Sequence, residues 1–476
     1  MHQFDSGESA IIVAIILAYI LFTSWLTLKL RSRNSAQFMV GSRAMPAAVI
    51  GVLLMSEFIG AKSTVGTSQE AFNYGIAAAW SVIGAAIGFL LYGLFFVRRL
   101  YASGEFTISG AIEQKFGRST KLTVSIIMIY ALLLVNVGNY VSGAAAISTV
   151  LHVDLTLGMF IIAIVSTFYY VFGGLKGVAY ITILHSAVKV LGIALILGFA
   201  LHMTGGIGPM VEGLPPEYFT LTGRIGVPTI LAWVIGTVGA IFSTQFIMQA
   251  ISANKDEAAA QRSAFYAAAW CFPLGIALGL IGVAAKFLQP DGNSLFALPM
   301  FLQAMNPWLA GLVTTSLVAS VFVSVSTVAL AMASLIVKDF YVPYARPTPE
   351  REFQATRWIS LAIGFLPLIF VFFVPEILKL SFFTRALRLS ISIVAVMGFY
   401  LPFFRSNRGA TLGLVASAIA TTAWYLLNNP YGIDNMYVAA VTPFAVLVAE
   451  RLLTGPSAVR PALDARGVAP GQRPAG

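Results

Sequence analysis

Apolar runs of about 20 residues recur along the whole chain, each long enough to cross a ~30 Å hydrocarbon core. That repetition makes the chain a polytopic α-helical membrane protein. Thirteen spans are predicted, at 9–29, 45–74, 76–97, 122–151, 155–171, 181–203, 226–249, 264–287, 309–337, 358–374, 377–402, 409–428 and 436–453. Only 10% of the residues are charged and 58% are hydrophobic. A soluble globular chain carries about 25% charged residues, so this one has too few to cover a water-facing surface. A soluble enzyme, a nucleic-acid binder and a disordered scaffold are thereby excluded.

The net charge of +10 requires no nucleic acid. All but two of the loop Lys and Arg residues fall in one set of alternate loops and the tail, from Lys29, Arg31 and Arg33 to Arg451; the opposite set holds only Arg224 and Lys286. Basic loops stay on the cytoplasmic side. The N-terminus is therefore expected outside and the C-terminus inside a bacterial-type inner membrane. Asp5 and Glu8 precede the first run, where a cleaved signal would carry basic residues. Residues 454–476, rich in Pro, Gly, Ala and Arg, are expected to be a disordered cytoplasmic tail. The single cysteine, Cys271, lies inside an apolar run and allows no intrachain disulfide.

Five basic residues remain within spans: Lys62, Lys189, Lys379, Arg385 and Arg388. Charge at membrane depth is costly and usually faces a cavity or a partner. Lys379 is near the outer end of its span and can snorkel; the other four call for an explanation. Two runs are also interrupted. The second contains Gly60-Ala61-Lys62-Ser63-Thr64, and the seventh carries Gly236, Gly239 and Ser243-Thr244-Gln245. Broken helices at corresponding places in two repeats point to a midplane site; the alternative is that the glycines only permit close helix packing.

The stretches GSRAMP (41–46), SEFIGAKSTVGTSQEAFNYGIAAAW (56–80), YVFGGLKGVAYITILH (170–185), STQFIMQAISANKDEAAAQR (243–262), VKDFYVP (337–343) and NRGATLG (407–413), in this order and spacing, resemble the sodium:solute symporter family over spans two to twelve. The resemblance implies a LeuT-like fold of two five-helix repeats of inverted topology, 45–203 and 204–402. An extra helix and linker (1–44) would precede them, and two further helices (403–453) would follow. It implies secondary active import of a small solute by alternating access, coupled to Na+ and needing no organic cofactor. It also places sodium ligands at the carbonyls of Ser56 and Ile59 and at Ser320, Val323 and Ser324. Valine offers no oxygen where the family usually has a hydroxyl, and a hard cation needs oxygen ligands, so this sodium site is incomplete.

The position where the family often has an aspartate on the sodium exit route is Thr182, and Lys189 stands two turns further along the same face. An ammonium carries the charge of Na+ and donates three hydrogen bonds. Either Lys189 stands in for sodium, with coupling to protons or to no ion, or it faces another cavity while a degraded sodium site still works.

Lys62 and Ser63 lie in the first interruption, with Glu57 five residues before Lys62. Arg385 and Arg388 share a helix face, about 13–18 Å below the outer end of their span. A guanidinium pairs bidentately with a carboxylate, and an excess of buried positive charge is relieved by an anion. The expected cargo is a small carboxylate-bearing organic acid. An amino acid remains open, with Glu57 for its amine; so does a structural role for both arginines. Thr244 and Gln245 are expected to line the solute. Trp80 either closes the pocket or packs at an interface. His185 reads as a packing histidine rather than a proton relay. The four histidines have no metal-like spacing, and no HExxH, GxSxG or phosphate-binding loop appears, so an enzyme is not expected. A transporter-like membrane sensor is the competing class. No obligatory protein partner is evident.

Overall fold

The computed structural model describes residues 4–151, 154–371 and 377–455; several helical side chains, including those of Lys62 and Lys379, fall outside the described set, as does the expected tail beyond residue 455. The described residues form helices and turns, with one isolated parallel bridge between Met45 and Asn254.

Helix α1 (Ser6–Lys29) starts with a capping box: Glu8 N–H donates to Asp5 Oδ1 (2.7 Å) and Asp5 N–H to Glu8 Oε2 (3.0 Å). The two acidic residues ahead of the first run thus fix a helix start. There follow α2 (Ala47–Phe58), α3 (Ala61–Tyr74), α4 (Ile76–Ala102), the short α5 (Ile108–Phe116), α6 (Arg118–Leu151) and α7 (Leu155–Thr204). Next come α8 (Val227–Ser243), α9 (Gln245–Ser252), α10 (Glu257–Leu288), α11 (Pro307–Leu335), α12 (Pro349–Phe370), α13 (Ile377–Tyr400), α14 (Asn407–Leu426) and α15 (Asn435–Thr454). Side chains of Asn306, Thr348 and Ser406 cap α11, α12 and α14.

Among the described residues ten helices are long and apolar enough to cross a membrane, or twelve when the bent pairs α2/α3 and α8/α9 each count as one span. Thirteen were expected. The difference lies in α7, a 50-residue element with non-helical backbone at Gly174 (φ 56°, ψ −164°). Only glycine adopts such a conformation without penalty, and a Cβ there would run into Ser32 and Phe38. Tyr169 and His185, on either side of it, meet with ring centroids 5.9 Å apart. Sixteen residues of straight helix would separate them by about 24 Å, so α7 folds back on itself at Gly174.

Helix α11 is the axle of the bundle. Its span is 94% buried, against 22% for α1 and 28% for α15, which border lipid. A helix that is apolar all round belongs in the interior, and α1, α6 and α7 pack on it.

Two helices around this axle are broken, each bent by 49°. Between α2 and α3, Ile59 (φ −94°, ψ 60°) and Gly60 (φ −83°, ψ 179°) leave the helical path, and the helix resumes at Ala61. The break thus precedes most of the Gly60–Thr64 stretch that signalled it. Between α8 and α9 the break falls on Thr244 (φ −60°, ψ 125°). Gly236 and Gly239 lie inside intact α8, where a Cβ would strike Met436 and Leu389. These two glycines serve packing, and the break comes from the polar run that follows.

Candidate functional site

A break frees backbone carbonyls that a continuous helix would satisfy. At the first break they are met by Lys189, which projects from α7 and is 1% exposed. Its Nζ donates to Ser56 O (2.9 Å), Ser56 Oγ (2.7 Å) and Ile59 O (2.6 Å). All three ammonium protons are thereby used. Ser56 and Ile59 are the residues whose carbonyls the resemblance assigned to sodium. On the facing helix, Ser320 Oγ donates to Ser316 O (2.8 Å), Ser324 Oγ to Glu57 O (3.4 Å), and Val323 is buried with no oxygen to offer. The oxygen set expected for a cation is therefore bonded to an ammonium on one side and to backbone on the other. Thr182 is fully buried on α7, with no partner for Oγ1 among the described residues.

At the second break the basic group is an arginine. Thr244 Oγ1 donates to Ala240 O (2.5 Å) and accepts from Arg388 Nη1 (3.0 Å), while Ser243 Oγ donates to Arg388 O (2.6 Å). Arg388 Nε donates to Thr384 O (3.1 Å), and one turn earlier on α13 Arg385 Nη1 donates to Thr237 Oγ1 (2.9 Å). Both arginines border a cavity of about 40 Å³ with Glu57, Ser63, Asn139, Ser324 and Ser381. That volume holds a few waters, so the helices are closed tightly around it. Among the described residues no ion pair reaches either guanidinium. Each has five N–H donors, most of them without a protein partner there.

The structure brings together Glu57, Ser63, Arg385 and Arg388 around one cavity, with Thr244 behind Arg388. Ser63 Oγ itself donates to Phe58 O (2.6 Å) across the break. The Lys62 side chain lies outside the described residues. Gln245 is not part of the lining. It is fully buried and its amide is committed at both ends, accepting from Ile108 N–H (2.9 Å) and donating to Phe106 O (3.0 Å). The first turn of α9 points past the bend toward the segment before α5, so the expectation of a solute contact from Gln245 is corrected. Trp80 does not border the cavity either; its Nε1 donates to Leu221 O (2.8 Å). Trp233 is the tryptophan beside this region. It stacks on Phe382 (5.3 Å, 11°), and both line a second cavity that shares Ser63, Ser381 and Arg385 with the first. Asn139 was missed, although two asparagines, Asn136 and Asn139, inside one apolar run were a usable signal.

The opposite end of the bundle, which carries Lys29, Arg31 and Arg33, is tied by charge. Asp339 at the end of the α11 span accepts from Ser109 Oγ (2.5 Å) and Ser125 Oγ (2.6 Å), with Lys121 Nζ 3.7 Å away. Lys338 pairs with Glu352 at 2.6 Å.

The family model for the sodium:solute symporter family matches residues 38–416. The chain belongs to the sodium:solute symporter family. Among the relatives of this symporter, the high-affinity proline transporter PutP of Bacillus subtilis is 25% identical over 344 residues, 68% of this chain and 72% of that protein. Sodium/proline symporter 2 of Staphylococcus saprophyticus is 21% identical over 90% of this chain and 88% of its own. The sodium-coupled monocarboxylate transporter 1 of Xenopus laevis is 24% identical over 70% of this chain and 57% of its own. A Na+-coupled sialic acid symporter, in a substrate-bound outward-open state, superimposes with a TM-score of 0.81 at 16% identity, covering 94% of this chain and 98% of that one. That likeness establishes the LeuT-like fold. The symporter is thus a multi-pass membrane transporter of a small solute, and its family supports sodium as the coupling ion.

Proposed function

We propose that this symporter imports a small carboxylate-bearing solute held between its two helix breaks, and that Lys189 replaces sodium so that protons do the coupling. The observation that carries the solute class is the pair of guanidiniums, Arg385 and Arg388, bordering a cavity without an ion pair of their own among the described residues. A buried charge without a partner is costly, and a carboxylate supplies that partner bidentately. Arg385 faces both cavities and makes first contact, and Arg388, oriented by Thr244, completes the grip. Glu57 and Ser63 shape the remaining wall, with Lys62 as a further basic group at the start of α3.

The three bonds from Lys189 to Ser56 and Ile59, together with the missing oxygen at Val323, support an ammonium in the ion's role. The basic end, with Lys29, Arg31, Arg33 and Lys338, is cytoplasmic on the loop-charge argument, which puts the N-terminus outside. The repeats 45–203 and 204–402 rock about the site, each beginning with a broken helix.

Uptake into proteoliposomes tests this. Labelled short-chain monocarboxylates should accumulate in sodium-free buffer with an inward proton gradient, and Arg385→Gln should weaken apparent affinity about tenfold or more, the scale of a lost charged hydrogen bond. Unchanged carboxylate uptake by Arg385→Gln would overturn the solute assignment. One observation favours a second reading, an α-amino acid: Glu57 lines the same cavity and could hold an ammonium, and two of the relatives are named for proline. Glu57→Gln separates the two, since it should abolish amino-acid uptake and spare simple carboxylates.

A further inference from the structure

Lys189 has a second side, away from the helix break. Helical side chains lean toward the N-terminus of their helix, so Lys189 leans over the turn that carries His185 and Ser186, with Thr182 one turn beyond. All three are buried. Among the described residues Thr182 Oγ1, His185 Nε2 and Ser186 Oγ have no hydrogen-bond partner. Buried polar atoms rarely remain so without water. Three such atoms, with hydrogen-bonding capacity left over, lie on successive turns of α7 below a buried ammonium.

The other His185 nitrogen leads on. Nδ1 shares a hydrogen bond with the Tyr19 hydroxyl of α1 (2.5 Å). From Tyr19, hydroxyls continue along one face of α1 toward its basic end. Thr23 Oγ1 bonds Tyr19 O (2.8 Å) and the Tyr169 hydroxyl (2.6 Å), and Thr27 Oγ1 bonds Thr23 O (2.8 Å). Ser32 Oγ donates to Gly173 O (2.5 Å) at the α7 fold-back. Ser32 then borders a vestibule of about 530 Å³ with Arg31, Arg33 and Arg357. Hydroxyls thus recur between His185 and this mouth, with Phe322 as an apolar neighbour of His185.

We propose that this seam between α1 and α7 is the proton exit route of the transporter, with His185 as its relay. The inference rests on the reading of Lys189 as the coupling group. In the step proposed, the Lys189 ammonium releases one of its three partners at the break and turns that N–H toward Ser186; the N–H bond then breaks and its proton passes, through water beside Ser186, to the Nε2 lone pair of His185. Imidazole then gives up the proton on Nδ1 to the Tyr19 oxygen, whose own proton moves to water in the seam. What remains is a neutral amine, which no longer holds the carbonyls of Ser56 and Ile59 as a cation does. Glu57 from α2 and Cys271 from α10 face Lys189, Tyr19 and Tyr169 face His185, and the mouth is faced by Arg31, Arg33 and Arg357. Guanidiniums at the mouth lower the local concentration of cations, so the seam favours proton release and resists entry of sodium.

The test uses the full chain in proteoliposomes loaded with the pH dye pyranine, with labelled lactate and proline as the two probes in sodium-free buffer. Solute-driven lumen acidification is read beside counterflow, an exchange that moves no net protons. His185→Gln keeps a polar side chain but cannot relay, and should slow acidification by about tenfold or more, in the range of lost proton-transfer catalysis, while counterflow stays near wild type. Tyr19→Phe should show the same split in weaker form. If His185→Gln acidifies the lumen at the wild-type rate, or loses counterflow and acidification equally, the route is wrong. If wild type moves solute only with sodium and no proton signal, the assignment of Lys189 fails instead.

Discussion

At the first helix break the freed carbonyls of Ser56 and Ile59 meet a lysine whose three protons are all engaged, whereas at the second break Thr244 meets an arginine whose fork is only part-engaged and borders the cavity. The bend is 49° in both, so geometry does not distinguish them; the chemistry of the basic group does. An ammonium is a compact point charge suited to filling a cation's place, while a guanidinium is a planar fork with donors to spare for a second partner. The same architectural fault, placed twice, yields one basic group turned inward on the protein and one bordering a cavity.

Removing the lysine should have the largest effect. Lys189→Met leaves two carbonyls at the break without their donor, each at about 1–3 kcal/mol. We expect concentrative uptake to vanish and the melting temperature of purified protein to fall; proton-driven uptake that survives would show that the first break is not a coupling site. Arg388→Lys comes next. It keeps the charge but removes the fork, so half-saturating solute concentration should rise about tenfold, with no new sodium dependence. A switch to sodium dependence would mean the two breaks do not divide the labour as described. The smallest effect on solute recognition should come from Gln245→Ala. It leaves Ile108 N–H and Phe106 O unpaired and costs about 1–3 kcal/mol in the seal, so transport rate should change while solute affinity stays within about twofold.

The membrane architecture was legible because a 20-residue apolar run is a one-dimensional property that needs no partner to be read. Lys189, Arg385 and Arg388 were legible for a related reason: a charge inside such a run is expensive enough to announce itself. What each charge touches was not legible. The link from Lys189 to Ser56 and Ile59 came through family resemblance rather than from spacing. Gln245 was misassigned because a buried amide shows only that it needs partners, not which side they stand on. The glycines of α8 gave a false signal for the break, since glycine serves close packing and helix interruption alike. Trp233 and Phe382 carried no mark among 7 tryptophans and 35 phenylalanines. The division of α7 was legible as well: the apolar runs 155–171 and 181–203 are separate in the sequence, and Gly174 with its non-helical backbone falls between them.

Thr244 and Gln245 are neighbours in the chain that attend to opposite doors. The first steadies an arginine of the cavity wall, and the second bolts α9 to the segment ahead of α5. One rigid peptide plane joins them. The cavity wall and the approach to α5 are thus anchored at adjacent positions of a single bend.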